Sequence, residues 1–223
     1  IMYHAALIPC VFSAYIAASA ARCAGVVHEV FPVLYAPEFN IKTAAYSIIM
    51  GMLCAVVSAV FCTLLHKSEY LYKKYFKNAY LRVLAAAFIF IILTLLVGTD
   101  DYRGGGFLLV ERCMKDGVGY EAFLLKMLFT ALLLGGGFKG GEIVPTFTVG
   151  AAFGCACTRF LGLPLQLSTA CGMVACFAGV TNCPISSVFM AIELFGLAGL
   201  PYYVIAIAVC FTLSGYYGLY SAQ

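Results

Sequence analysis

Tyr3–Ala21, Thr43–Leu65 and Val83–Val97 contain no Asp, Glu, Lys or Arg. An α-helix needs about 20 apolar residues to cross ~30 Å of hydrocarbon, so these three stretches are read as membrane-spanning helices. The rest of the chain agrees with that setting, being 64% hydrophobic and 10% charged with a mean hydropathy of +1.00. The expected class is an all-α, multi-pass integral membrane protein. The first stretch is too long for a secretory signal, lacks a basic leader and is followed by Arg22 rather than a small-residue cleavage site, so it is expected to be structural.

Glycine and proline interrupt the later part of the chain around 135–141 and at Pro164, Pro184 and Pro201. Several of those segments are therefore expected to be short, tilted or re-entrant. Non-helical backbone at membrane depth has to be buried in protein or line an aqueous cavity. The expected order is a helix over Met2–Cys23, a polar connector from Gly25 to Lys42, a long helix Ile41–His66 and a charged amphipathic stretch to Asn78. Tyr80–Val97, Phe107–Met114 and Glu121–Leu134 follow. A half-length helix Glu142–Phe160 comes next, then Ser168–Gly179, Pro184–Phe195 and Pro201–Leu213. No internal repeat is evident. Gly150 and Gly154, four residues apart, have the spacing of a close helix contact.

The net charge of +3 leaves no nucleic-acid footprint, and its placement says more than its size. Lys67, Lys73, Lys74, Lys77 and Arg82 crowd one connector, while Asp100 and Asp101 follow the next helix. The positive-inside rule puts the Lys67–Arg82 connector in the cytoplasm and the two aspartates on the far side. The 11 cysteines are scattered singly through apolar segments and are read as small buried hydrophobes, with neither a metal site nor a disulfide framework expected. His4, His28 and His66 lie near segment ends and are read as interfacial. Lys139 is followed by Gly140 rather than the Ser or Thr that would hold Mg²⁺ in a phosphate loop, which argues against an ATPase.

The run from Gly135 to Gly150, GGGFKGGEIVPTFTVG, joins a glycine-rich turn to an apolar helix. Pro145 falls where a first helical turn tolerates a missing N–H. The free N–H groups of that turn, with the positive end of the helix dipole behind them, form an anion site that needs no basic side chain. Discontinuous helices of this kind line transporter sites at mid-membrane depth.

With the Gly-Gly-Glu-Ile-Val-Pro run, three further motifs occur in order: Phe177-Ala-Gly-Val-Thr-Asn-Cys-Pro184, Val188-Phe-Met-Ala-Ile-Glu193 and Leu219-Tyr-Ser221. Together they resemble the second half of the CLC family of chloride channels and proton-coupled anion antiporters. Arg103-Gly-Gly-Gly-Phe107 resembles the family's short glycine-introduced helix before the filter segment. The resemblance covers essentially residues 1–223 and implies the second inverted-topology repeat of a CLC-type fold, with re-entrant and tilted helices. No segment matches the serine-bearing loop or gating glutamate of the family's first repeat, so the chain is expected to be part of a longer protein.

The resemblance further implies that backbone groups at Gly141, Glu142 and Ile143, with the hydroxyl of Tyr220, hold a central anion. Glu142 departs from the common chloride pattern, where that position is apolar. A glutamate there resembles the fluoride/proton antiporter branch and implies a proton-coupling role. Burial of such a carboxylate favours its neutral form, which donates a hydrogen bond instead of repelling the anion. Val144 stands where that branch carries a hydroxyl residue, so chloride and fluoride both stay open.

Thr181 and Asn182 are expected to cap the helix begun at Pro184, and Glu193 to satisfy backbone donors near a helix end. The expected activity is transport of chloride or fluoride in exchange for protons, without enzymatic chemistry, cofactor or metal. The transporter would be a homodimer in the plasma or inner cell membrane, with Met2–Ala21, Pro184–Leu197 and Pro201–Leu213 matching the family's interface. The competing reading is a non-transporting membrane scaffold or assembly subunit.

Overall fold

The computed structural model describes residues 4–26, 30–215 and 218–219. Among them, nine helices and no strand occur: α1 (His4–Cys23), α2 (Ile41–Tyr75), α3 (Ala79–Val97), α4 (Phe107–Lys115), α5 (Ala122–Gly135), α6 (Ile143–Leu161), α7 (Leu165–Thr181), α8 (Pro184–Phe195) and α9 (Leu200–Ser214). The chain divides into one compact unit that contains α1 and a second that runs from Phe31 onward. In α1 the described face is apolar and exposed, with Ile8, Val11, Phe12 and Tyr15 all outward.

The second unit is built around α7. Every residue of α7 from Leu167 to Thr181 is buried, the pattern of a helix apolar on all sides and enclosed by others. α2, α6, α8 and α9 pack around it, with α4 against its side. Small residues set these contacts. A Cβ on Gly154 would fall 2.4 Å from the carbonyl oxygen of Ser168, and one on Gly150 would fall 2.6 Å from that of Gly172. The α6 and α7 backbones therefore touch directly, and Ser168 Oγ donates to the Gly154 carbonyl at 2.7 Å. The expected Gly150–Gly154 contact is real. It is completed by Gly172 and Ser168, which lie outside that spacing pattern.

α2 extends further than the sequence suggests. Its 35 residues continue through the charged stretch to Tyr75, a length of about 52 Å at ~1.5 Å per residue. Lys67, Lys73 and Lys74 thus lie on its last turns, Lys77 in the short link and Arg82 in the first turn of α3. The start of α2 is fixed by a capping box, in which the Asn40 side chain accepts from the Thr43 amide at 2.9 Å while Asn40 N–H donates to Thr43 Oγ1. α3 buries only Ala86 and Thr94 and turns Leu84, Phe88, Ile91 and Leu95 outward, as suits a lipid-facing helix.

Three further expectations need correction. α6 has 19 residues and, like α2 and α3, is long and apolar enough to cross a bilayer, so it is not half-length. α7 begins at Leu165 rather than Ser168, because Pro164 takes the N-cap position in extended backbone and the apolar face resumes at once. Asn182 does not cap α8. It ends α7 in the left-handed conformation at φ 55°, a position Asn tolerates well, and Thr181 bonds back to the Phe177 carbonyl within α7.

Candidate anion site at the mouth of α6

α5 ends at Gly135, and the chain turns through Gly136–Gly141 before α6 begins at Ile143. Glu142 is the N-cap residue. Its carbonyl accepts from Thr146 twice, through the amide at 3.2 Å and the hydroxyl at 2.7 Å, which locks the first turn. Its carboxylate makes no capping bond. Among the described residues the side chain has no hydrogen-bond or ion-pair partner, and it is half-buried. Capping, the bland role for an acid at this position, is therefore not what Glu142 does.

The amides of Gly141, Glu142, Ile143 and Val144 have no acceptor among the described residues, and Pro145 in the same turn has no N–H to leave unpaired. Unpaired donors thus follow one another at the positive end of a 19-residue helix, an arrangement suited to an anion. Gly141 and Ile143 are exposed at this mouth. Gly141, Glu142 and Ile143 are consecutive in the chain and share this mouth for that reason. Tyr220 lies outside the described residues, and the nearest described position is Leu219, whose amide donates to the Val180 carbonyl at 3.0 Å.

Behind the mouth, a buried cation holds a glycine loop in place. Lys126, the only charged residue of α5, is 1% exposed, and its Nζ donates to the carbonyls of Tyr102 at 3.1 Å and Gly104 at 2.8 Å. From α6, Thr148 Oγ1 donates to the Gly105 carbonyl at 2.8 Å. The loop before α4 is thus tied to both α5 and α6, and a cavity of about 460 Å³ between them reaches from Lys126 to Gly141 and Val144. Lys126 is not among the residues expected at the site. The available signal was a lone charge within an otherwise apolar helix, AFLLKMLFTALLLG.

A second cavity, of about 220 Å³, is lined by Glu142 together with His66 and Glu69 of α2. The reading of His66 as a segment-end residue is corrected, since α2 runs nine residues past it. The side chain of His4 and all of His28 lie outside the described set. Cys54, Cys62, Cys113, Cys155, Cys157, Cys171, Cys176 and Cys210 are buried free thiols. The described residues hold no cluster of three or more potential metal ligands. Glu193 is exposed near the end of α8.

The class these features define is an all-α integral membrane protein with an unpaired helix N-terminus at the end of a glycine-rich turn. Residues 2–215 match the family model described as voltage gated chloride channel. The chain belongs to that family, the CLC proteins. It is 31% identical over 228 residues to a "Chloride/fluoride channel protein" of Pseudomonas syringae pv. tomato (strain ATCC BAA-871 / DC3000), a match that takes in 100% of this chain and 50% of that protein. The crystal structure of a CLC-type fluoride/proton antiporter superposes with a TM-score of 0.94 at 26% identity, over 99% of this chain and 56% of that one. A slow cyanobacterial Cl⁻/H⁺ antiporter shares the fold at a TM-score of 0.69 and 17% identity, over 84% of this chain and 47% of that one. The chain spans about half the length of the relatives it matches.

Proposed function

We propose that this chain forms the second repeat of a CLC-type transporter that moves fluoride or chloride across a cell membrane in exchange for protons. The observation that carries this reading is the uncapped, half-buried carboxylate of Glu142 among free amides at the start of α6. When protonated it donates to a bound anion, and when ionised it repels one, so proton and anion occupancy become linked. Gly141, Glu142 and Ile143 supply the amides, and Tyr220 adds its hydroxyl. The names of the similar proteins, a chloride/fluoride channel protein and a fluoride/proton antiporter, support a halide and favour fluoride. A homodimer is part of the proposal, with the outward Ile185 and Phe189 of α8 and Leu213 of α9 in its interface.

The test is paired recording of anion efflux and pH change from liposomes that hold the complete transporter, run in turn with fluoride and with chloride. Anion efflux with opposed proton movement is expected, faster for fluoride, and Glu142→Gln should stop the proton movement because an amide cannot take up and release a proton. Faster chloride would place the protein with the chloride transporters despite its glutamate. No flux of either ion would favour the scaffold reading.

A further inference from the structure

Cys62, His66, Glu69 and Lys73 follow one another on α2 at intervals of four, three and four residues, which stacks them on one face of the helix. The stripe covers roughly 16 Å at ~1.5 Å per residue. At one end Cys62 is a buried free thiol. At the other, Lys73 Nζ donates to Glu69 Oε1 at 2.6 Å, on the exposed last turns of α2. Between them the cavity of about 220 Å³ puts His66 and Glu69 on one wall and Glu142 on another, with Leu65, Leu134 and Leu219 closing it. A water in liquid takes about 30 Å³, so a short file of waters fits.

We propose that His66 passes protons between the aqueous end of α2 at Lys73 and the Glu142 carboxylate, through water in this cavity. The proposal rests on the reading of Glu142 as the proton-exchanging group. A hydronium at the open end gives its proton to the imidazole, forming an N–H bond and leaving water. That N–H bond breaks as a cavity water takes the proton and passes another on, forming an O–H bond on Glu142, and the imidazole returns to neutral. The reverse order serves the opposite direction. Glu69 is a weaker candidate because Lys73 already occupies its carboxylate, and imidazole as a group takes and gives protons near neutral pH. Among the described residues, Lys67 and Glu69 neighbour His66 on α2, and Glu142 lines the same cavity. α5 contributes Leu134 and Gly135 to this wall.

The experiment compares wild type, His66→Gln, His66→Ala and Glu142→Gln of the complete transporter in liposomes, reading proton flux against pH. Both His66 variants should lose proton flux by at least about tenfold, while fluoride binding in detergent and elution as a single species stay unchanged. Adding imidazole to the buffer should restore flux in His66→Ala, an effect that a merely structural histidine would not give. Wild-type proton flux in the His66 variants beside a blocked Glu142→Gln would overturn the relay alone, as would a loss that imidazole does not repair. Normal proton flux in Glu142→Gln would overturn the underlying function and the relay with it.

Discussion

Lys126 of α5 donates its ammonium to the backbone carbonyl of Gly104 at 2.8 Å, so a fully buried cation fastens the glycine loop that precedes α4. Replacing it with methionine keeps the volume but leaves the carbonyls of Tyr102 and Gly104 without that donor. A buried polar group left unsatisfied costs about 1–3 kcal/mol. Lys126→Met should therefore lower the thermal unfolding temperature of the detergent-solubilised transporter by a clear margin. An unchanged melting curve would mean that the loop holds its shape without the lysine.

Gly106 lies at φ +86° at the start of α4, and a methyl group there would fall 2.7 Å from Thr148 Cγ2 and 3.1 Å from Lys126 Cε. An L-residue in the left-handed region loses roughly 1–2 kcal/mol before any clash is counted. Gly106→Ala should destabilise by about 2 kcal/mol or more, and adding Thr148→Ser, which removes Cγ2, should recover part of that loss. Melting temperatures of the single and double variants decide it. Equal destabilisation in both would show that the backbone, not the contact, sets the cost.

At the crossing of α6 and α7 the tight neighbour is backbone, which cannot rotate away. Gly154→Ala should cost about 1–3 kcal/mol through overpacking, and Gly154→Val should abolish the folded species in size-exclusion chromatography. A Val variant that elutes and melts like wild type would contradict the 2.4 Å approach to Ser168.

Tyr220, beyond the described residues, is expected to offer its hydroxyl to the bound anion in the complete transporter. A hydrogen bond to a charge is worth about 1.5–3 kcal/mol, so Tyr220→Phe should weaken anion binding about tenfold or more by calorimetry. Unchanged affinity would make it an interfacial tyrosine, like many at membrane edges.

The segments legible in the sequence were those where a single helix decides its own fate. Thr43–Leu65 and Val83–Val97 read as helices because apolar length in lipid admits little else, and the glycine run before Ile143 marked the mouth of α6 because glycine and proline leave local traces. The end of α2 was not legible. Its charged turns look like a connector, yet they stay helical to Tyr75 because the backbone bonds continue past the apolar span. Asn182 reads from sequence as a cap of α8 yet ends α7, because a residue between two helices can serve either and only its φ of 55° settles which.

By itself, the sequence determined an all-α membrane protein of the CLC family with a carboxylate at the glycine turn. Those properties follow from hydropathy, from local backbone preferences and from motif order, all of which act along the chain. Only the tertiary structure decided that Glu142 is left uncapped, that Lys126 meets the carbonyls of Tyr102 and Gly104 more than twenty residues earlier, and that His66 borders the same cavity as Glu142. Each of these depends on which helices cross and how closely. That choice is made by small residues such as Gly154 and Gly172, whose value lies in the partner they admit and which the chain does not name in advance.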